Sequence, residues 1–328
     1  MAGTKGMEMN RQMAQQRAAT HVVFGEALVD DFGDLQVVGG APFNVARNLA
    51  GFGTSPLMVT RIGDDASGLL LREEFARFGM SGAGLQVGAG EPTGRVQVER
   101  TGAGQHRFII LPDQAYDRLE TAPMLAALAD GRPRPAGVYF GTLAQRSPQT
   151  RAALDALLQA SEAPRYLDLN LRDGQFSEAT VFDSLCKADI LKVNEDELTQ
   201  LFDWYAHISP GMEAMDSLDV RLACAELISK FSLDSIIVTL GPRGAVYYGA
   251  DGSLAASGPA DVPRMVDTVG AGDAFSAVYL YGGAQGWPLE TTLARANAFA
   301  GAICGIAGAV PQDTAFYQPW LARWNAAG

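Results

Sequence analysis

The chain has 328 residues, 48% of them hydrophobic, and a formal net charge of −12. That length supplies a core for one large α/β domain, and the acidic balance, with no basic stripe, argues against a nucleic-acid partner. No apolar run is long enough to span a membrane, and Cys186, Cys224 and Cys304 show neither metal-ligand nor disulfide spacing, which fits a reducing cytoplasm.

Residues 1–20 lack the apolar region of a secretory signal and read as a disordered tail. The domain is expected over 21–328. "HVVFGEALVD" reads as a buried strand with a polar exit at Asp30 and Asp31. "GGAPFNVARNLAGFG" opens a helix on Gly-Gly-Ala-Pro and sets Ala46, Leu49 and Ala50 on one face. "PLMVTRIG" is a second strand, and "SGLLLREEFARFG" a helix closed by Gly79. This β-α-β-α rhythm breaks at "TGRVQVERTGAGQHRFIIL", residues 93–111, whose alternation around glycines predicts a β-hairpin. The rhythm returns with strands at "GVYFGTL", "PRYLDLN", "ADILKVN" and "DSIIVTLG", then a meander at "GAVYYGA" and "GSLAAS". Two small-residue helices, "AGDAFSAVYLYGGAQG" and "ETTLARANAFAGAICGIAG", follow. The pattern predicts a mainly parallel central sheet covered on both faces, with ligands at the carboxyl ends of its strands. The hairpin and residues 31–38 are expected to form a small separate sheet.

The stretch "DTVGAGDAF" carries the strongest chemical signal. Gly270, Ala271 and Gly272 precede an apolar helix, and bare backbone at a helix start lets an anion reach successive N–H groups. Asp273 would stand beside that anion, where a carboxylate gains proton affinity and can accept a proton. The plainer alternative makes Asp273 a helix cap. No GxxxxGK[ST] occurs, and "GAGDAF" is not GxGxxG, so neither phosphate-loop class explains it.

Taken together, "DTVGAGDAF", "GGAPFNVARNLAGFG", the Asn194-x-x-Glu197 element of "KVNEDEL" and "VTLGPRGA" resemble the ribokinase-like, or PfkB, family of carbohydrate kinases, over residues 21–310. The resemblance implies a three-layer fold with a β-sheet lid made of segments 31–38 and 93–111. It implies ATP-dependent phosphorylation of a sugar hydroxyl, with Asp273 as base and Gly270, Ala271 and Gly272 as the anion hole. Glu197 and Asn194 would organise Mg²⁺ and phosphates through water. Thr239, Gly241 and Gly244 would line the ATP phosphates and ribose, and Asn297 would edge the adenine pocket. Asp267 and the loop "CGIAGAV" resemble a site for a monovalent cation such as K⁺. On the sugar side stand Asp30, or alternatively Asp31, with Gly39, Gly40 and Asn44. "DLNLR", Asp168 to Arg172, is similar to an element of fructokinases and 2-keto-3-deoxygluconate kinases, in which Arg172 would reach substrate or phosphate oxygens. The plainer reading makes Asp168 a strand-end cap and Arg172 a member of a surface ion pair.

A neutral hexose, fructose first, is favoured because Leu111-Pro112-Asp113 stands where an acidic sugar would want an arginine. Arg95 and Arg107 keep 2-keto-3-deoxygluconate open, and ribokinase-type activity is a further alternative. A non-catalytic sugar or nucleotide sensor on the same fold would be expected to lack the base or the loop, and both are present. An aspartyl phosphatase would need Asp-x-Asp-x-Thr after a first strand, which is missing. A homodimer through the lid sheets is a further implication of the resemblance.

Overall fold

The structure, a computed structural model, describes residues 21–101, 105–130, 134–260, 262 and 264–326. The expected tail at 1–20 and the hairpin turn at 102–104 lie outside these residues. The chain begins with β1 (His21–Phe24), β2 (Leu28–Asp31), β3 (Gln36–Gly39), α1 (Ala41–Gly51), β4 (Leu57–Gly63), α2 (Ala66–Arg77) and β5 (Leu85–Gly88). The hairpin β6 (Gly94–Thr101) and β7 (Gln105–Ile110) follows, then α3 (Thr121–Ala129), β8 (Gly137–Phe140), α4 (Pro148–Gln159), β9 (Arg165–Asp168) and α5 (Glu178–Leu185). The second half holds β10 (Ile190–Asn194), α6 (Glu195–Tyr205), α7 (Leu218–Phe231), β11 (Ser235–Thr239), β12 (Ala245–Gly249) and β13 (Leu254–Ser257). It closes with α8 (Ala271–Ala284), α9 (Leu289–Ile303) and α10 (Gln318–Ala326).

Among the described residues the central sheet has nine strands in the order β13-β12-β11-β10-β9-β8-β1-β4-β5. The run from β11 to β5 is parallel, and β12 and β13 add an antiparallel edge. The strands read as continuous apolar runs because both faces are covered. Val22, Phe24, Val138, Phe140 and Leu191 pack against α3 to α7, whereas Val23, Tyr139, Tyr166 and Ile237 pack against α1, α2 and α8 to α10. This is the expected three-layer α/β arrangement.

The separate small sheet also forms, in the order β3-β2-β6-β7. Its β2–β6 pairing is parallel and the other two are antiparallel. Gly39 and Gly40 join this sheet to α1. Gly40 has φ +101°, and a side chain there would lie 2.7 Å from the Glu26 carbonyl. Gly39 has ordinary backbone, and its bareness makes room for Asp30, whose Oδ2 would lie 3.0 Å from an added Cβ. No helix among the described residues is long and apolar enough to cross a membrane.

The end of α1 is pinned by an aromatic cluster from the C-terminal segment. The Tyr317 hydroxyl donates to Asn48 Oδ1 at 2.9 Å, and its ring meets Phe52 edge-on at 5.4 Å between centroids. Tyr317 is fully buried, and a Cβ on Gly51 would sit 2.4 Å from its ring. Gly51→Ala is therefore expected to destabilise the fold by about 1–3 kcal/mol through overpacking, despite alanine's better helix propensity. Urea unfolding checks this; an unchanged or raised midpoint would mean that the ring yields without cost.

Candidate active site

The bare loop stands at the start of α8. Gly270 precedes the helix with φ +79° and no side-chain cap. A Cβ there would lie 2.5 Å from Ala309, in the loop that follows α9. Ala271 and Gly272 form the first turn, and a Cβ on Gly272 would come within 3.0 Å of Lys192 Nζ. Asp273 does not cap its own helix. Its Oδ2 accepts from Asn44 Nδ2 at 2.7 Å, across 229 residues of sequence. Burial pushes its carboxyl up to about 6, with Asp168 adding to the rise and Asn44, Lys192 and Arg172 opposing it. A carboxylate so placed, beside backbone N–H groups at a helix N-terminus, can take a proton from a hydroxyl attacking an anion bound there.

A buried polar floor lies under this turn. Strand alternation turns Asp168 and Lys192, opposite each other on β9 and β10, toward α8. Lys192 Nζ donates to Asp168 Oδ1 at 3.0 Å, and Asp168 Oδ2 accepts from Ser276 at 3.0 Å and Tyr139 at 3.2 Å. Burial alone would lower the Lys192 pKa, but Asp168 and Glu197 raise it above the usual lysine value, so it carries its charge. Asp168 is thus a buried ion-pair partner rather than the strand-end cap of the plainer reading.

The sugar-side candidates converge from three places. Asp30, at the end of β2, is pushed up to about 6 by burial, against the pull of Arg172. Asp31 is engaged in its own turn, accepting from Gly33 N at 2.9 Å and pairing with Arg95 at 3.4 Å. Of the two acids, Asp30 is the one under the influence of Arg172. Glu26, which sequence reasoning passed over, is buried after β1 and pushed up to about 7, with Arg172 opposing and Asp273 reinforcing. Arg172 is exposed and makes no ion pair among the described residues, yet it acts on Glu26, Asp30 and Asp273 together. The surface ion pair of the plainer reading does not form.

The nucleotide-side candidates line the ends of β10 and β11, where Asn194 and Thr239 are register partners. Asn194 and Glu197 form a reciprocal capping box at the start of α6. Asn194 Oδ1 accepts from Glu197 N at 2.9 Å, and Glu197 Oε2 from Asn194 N at 2.9 Å. Glu197 Oε1 also accepts from Leu171 N at 2.7 Å. The pair thus serves as a helix cap, and no cluster of three or more acidic, His or Cys side chains suited to a metal occurs among the described residues. Thr239 donates to the Val193 carbonyl at 3.2 Å. Gly241 has φ +55° and open space, whereas a Cβ on Gly244 would meet the Ser257 carbonyl at 1.9 Å. Asn297 is turned toward the chain leaving β13, its Nδ2 donating to the Gly258 carbonyl at 2.6 Å. Asp267 reaches the loop after α9, accepting from Gly308 N at 3.3 Å.

Sequence reasoning also missed Lys192 and Arg146. A lysine interrupting the apolar run "ILKVN" is the signal for the first. Arg146 grips Asp117 through Nε at 2.8 Å and Nη2 at 2.7 Å and holds the Leu111 carbonyl at the foot of β7. Nothing in its local sequence marks it.

Residues 16–314 match the family model described as pfkB family carbohydrate kinase. The chain is 30% identical over 273 residues to a fructokinase of Klebsiella pneumoniae, covering 79% of this chain and 83% of that one. It is 29% identical over 266 residues to fructokinase-1 of Zea mays, covering 79% and 77%. A solved fructokinase of Xylella fastidiosa with bound ATP shares the fold at a TM-score of 0.77 and 22% identity, over 93% of this chain and 99% of that one.

The Asp168–Lys192 pair sets a stability test. Lys192→Met strands a buried carboxylate, which retains the Ser276 and Tyr139 hydroxyls. A loss of about 3 kcal/mol is expected, toward the lower end for a broken buried pair. Chemical denaturation of the variant checks it, and a loss below about 1 kcal/mol would mean that Asp168 is satisfied without the lysine.

Proposed function

The chain belongs to the pfkB family of carbohydrate kinases and is an ATP-dependent sugar kinase, and on that premise we propose that it phosphorylates a neutral hexose, fructose foremost. In this reading Asp273 is the general base and the backbone of Gly270, Ala271 and Gly272 is the anion hole. The observation that carries it is the Asn44–Asp273 hydrogen bond, which holds a carboxylate of raised proton affinity at the bare start of α8. With Oδ2 held by Asn44, Oδ1 is left for the sugar. The hydroxyl proton passes to Asp273 as the sugar oxygen bonds to the γ-phosphorus of ATP and the bond to ADP breaks. Phosphoryl transfer asks chiefly for such positioning and for charge stabilisation.

Asp30, Gly39, Gly40, Asn44 and Arg172 bind the sugar, and Asn194, Thr239, Gly241, Gly244 and Asn297 border the nucleotide. Bound magnesium supplies charge neutralisation on the phosphate oxygens. Glu197 fits it through water, because both its oxygens already accept backbone N–H groups and magnesium keeps most of its water shell. Asp267 and the 304–310 loop, joined by the Gly308 N–H to Asp267, would hold a monovalent cation such as potassium.

Charge around the sugar side supports a neutral substrate. Three carboxyl groups, Glu26, Asp30 and Asp273, share the influence of one cation, Arg172, that makes no ion pair among the described residues. Arg95 is paired with Asp31. The fructokinase names of the relatives agree with this choice.

Asp273→Asn is expected to lower kcat by about 10²–10⁴ with little change in melting temperature. Wild-type kcat should fall as pH drops below about 6, because a protonated Asp273 cannot take the sugar's hydroxyl proton. A folded Asn variant with near-wild-type kcat, verified free of deamidation, would remove Asp273 from this role.

Across a substrate panel, kcat/KM for fructose should exceed that for 2-keto-3-deoxygluconate by at least about tenfold, since desolvating an unpartnered carboxylate costs several kcal/mol. The opposite preference would overturn the choice of sugar and leave the kinase class intact.

A further inference from the structure

Arg47 lies one turn after Asn44 on α1 and is buried. Its guanidinium joins three parts of the molecule. Nη2 donates to Asn44 Oδ1 at 2.6 Å and to the Val38 carbonyl at 3.2 Å, while Nη1 donates to Glu74 Oε2 at 2.8 Å. Val38 belongs to lid strand β3, and Glu74 to α2. If the arginine served only to tie α1 to α2, a forked pair with Glu74 would be the natural geometry. Instead Nε is left without a partner, and the second terminal nitrogen is turned to Asn44. Glu74 also has a separate cation, Arg77, at 2.8 Å through Nε.

A guanidinium has donors and no acceptor, so the Asn44 atom facing it must be the oxygen. The amide nitrogen is thereby directed at Asp273. We infer that Arg47 is a positioning residue for phosphoryl transfer, which locks the Asn44 amide as a donor to Asp273 and ties that donor to lid strand β3. The inference rests on Asp273 as the base. Once Asp273 has taken a proton, a free asparagine could turn its oxygen toward the new O–H and stabilise the spent form. Arg47 forbids that turn, so Asn44 favours the carboxylate and helps return the proton to solvent.

The charged groups that act on Asp273 are Asp168 from β9, Lys192 from β10, Arg172 from the segment after β9 and Glu26 from the segment after β1. None of them touches Arg47 in the hydrogen-bond network, so replacing Arg47 reaches Asp273 through Asn44. Weakening a hydrogen bond to the charged form raises the carboxyl pKa.

The test uses Arg47→Met and Arg47→Lys in the whole chain, with two readouts. One is the pH titration of the Asn44 side-chain amide by NMR in the substrate-free enzyme, which follows Asp273 ionisation without turnover. The other is the pH profile of kcat. In Arg47→Met the amide midpoint and the acid limb of kcat should both move to higher pH. At pH 7 kcat should fall by about tenfold, with KM for ATP unchanged, and Arg47→Lys should lie between. A folded Arg47→Met with the wild-type midpoint and acid limb overturns the inference. A shifted amide midpoint with an unshifted kcat profile refutes Asp273 as the base, and with it the catalytic meaning of Arg47. Should Arg47→Met fail to fold, Arg47→Lys decides: a smaller shift in the same direction supports the inference, and wild-type values in both readouts overturn it.

Discussion

Everything at the candidate site depends on two helix starts meeting over the edge of one sheet. α1 begins after Gly40 and α8 after Gly270, and each glycine has the positive φ that lets the chain turn sharply into its helix. Neither would tolerate a side chain: Gly40 is crowded by the Glu26 carbonyl and Gly270 by Ala309. The helices pack through small residues such as Ala46, Ala274 and Ala277, all fully buried. Only this close approach allows a short asparagine on one helix to bond an aspartate on the other.

The charge pattern follows from the same convergence. An acidic chain gathers further acids, Glu26, Asp30 and Asp273, around its candidate site, which would repel a phosphorylated ligand if nothing intervened. Positive potential is supplied locally instead, by the N-terminus of α8, by Lys192 beneath Gly272 and by Arg172. The lysine is held in place by Asp168, so the floor is neutral as a pair while its charged end faces the loop. Burial lifts the proton affinities of Glu26, Asp30 and Asp273 toward neutrality, which reduces the mutual repulsion of three acids around one arginine.

The sequence was readable where one physical demand governs a run of residues. Continuous apolar strands signal a sheet covered on both faces, and alternation at 93–111 signals a sheet with one open face, so both sheets could be anticipated. The bare loop before Asp273 was legible as a helix start, and α8 does begin there after Gly270. What could not be read were links between distant side chains. Asp168 and Lys192 lie 24 residues apart and meet only through strand register. Asn194 and Glu197 fit a helix cap as well as a ligand set, and spacing alone does not separate the two. Asn297 shows why a helix-face asparagine is a poor marker, since its amide is engaged by the backbone at Gly258. Asp30 and Asp31 are adjacent acids that only the pleat and the turn after β2 distinguish.

The order of the strands also bears on how the protein is made. Asn44 and Asp273 are separated by 229 residues, which a ribosome adding about 5–20 residues per second takes roughly 10–50 s to synthesise. Throughout that interval α1 exists without α8, and the polar groups of Glu26 and Asn44 face no partner from the C-terminal half. Strands β8, β1, β4 and β5 are contiguous in the sheet and all encoded early, so that part of the sheet is synthesised long before the site can form. Chemistry therefore arrives in one late step, when α8 docks. Any polypeptide truncated before that helix lacks α8 to α10, which cover Val23, Tyr139, Tyr166 and Ile237 on one face of the sheet.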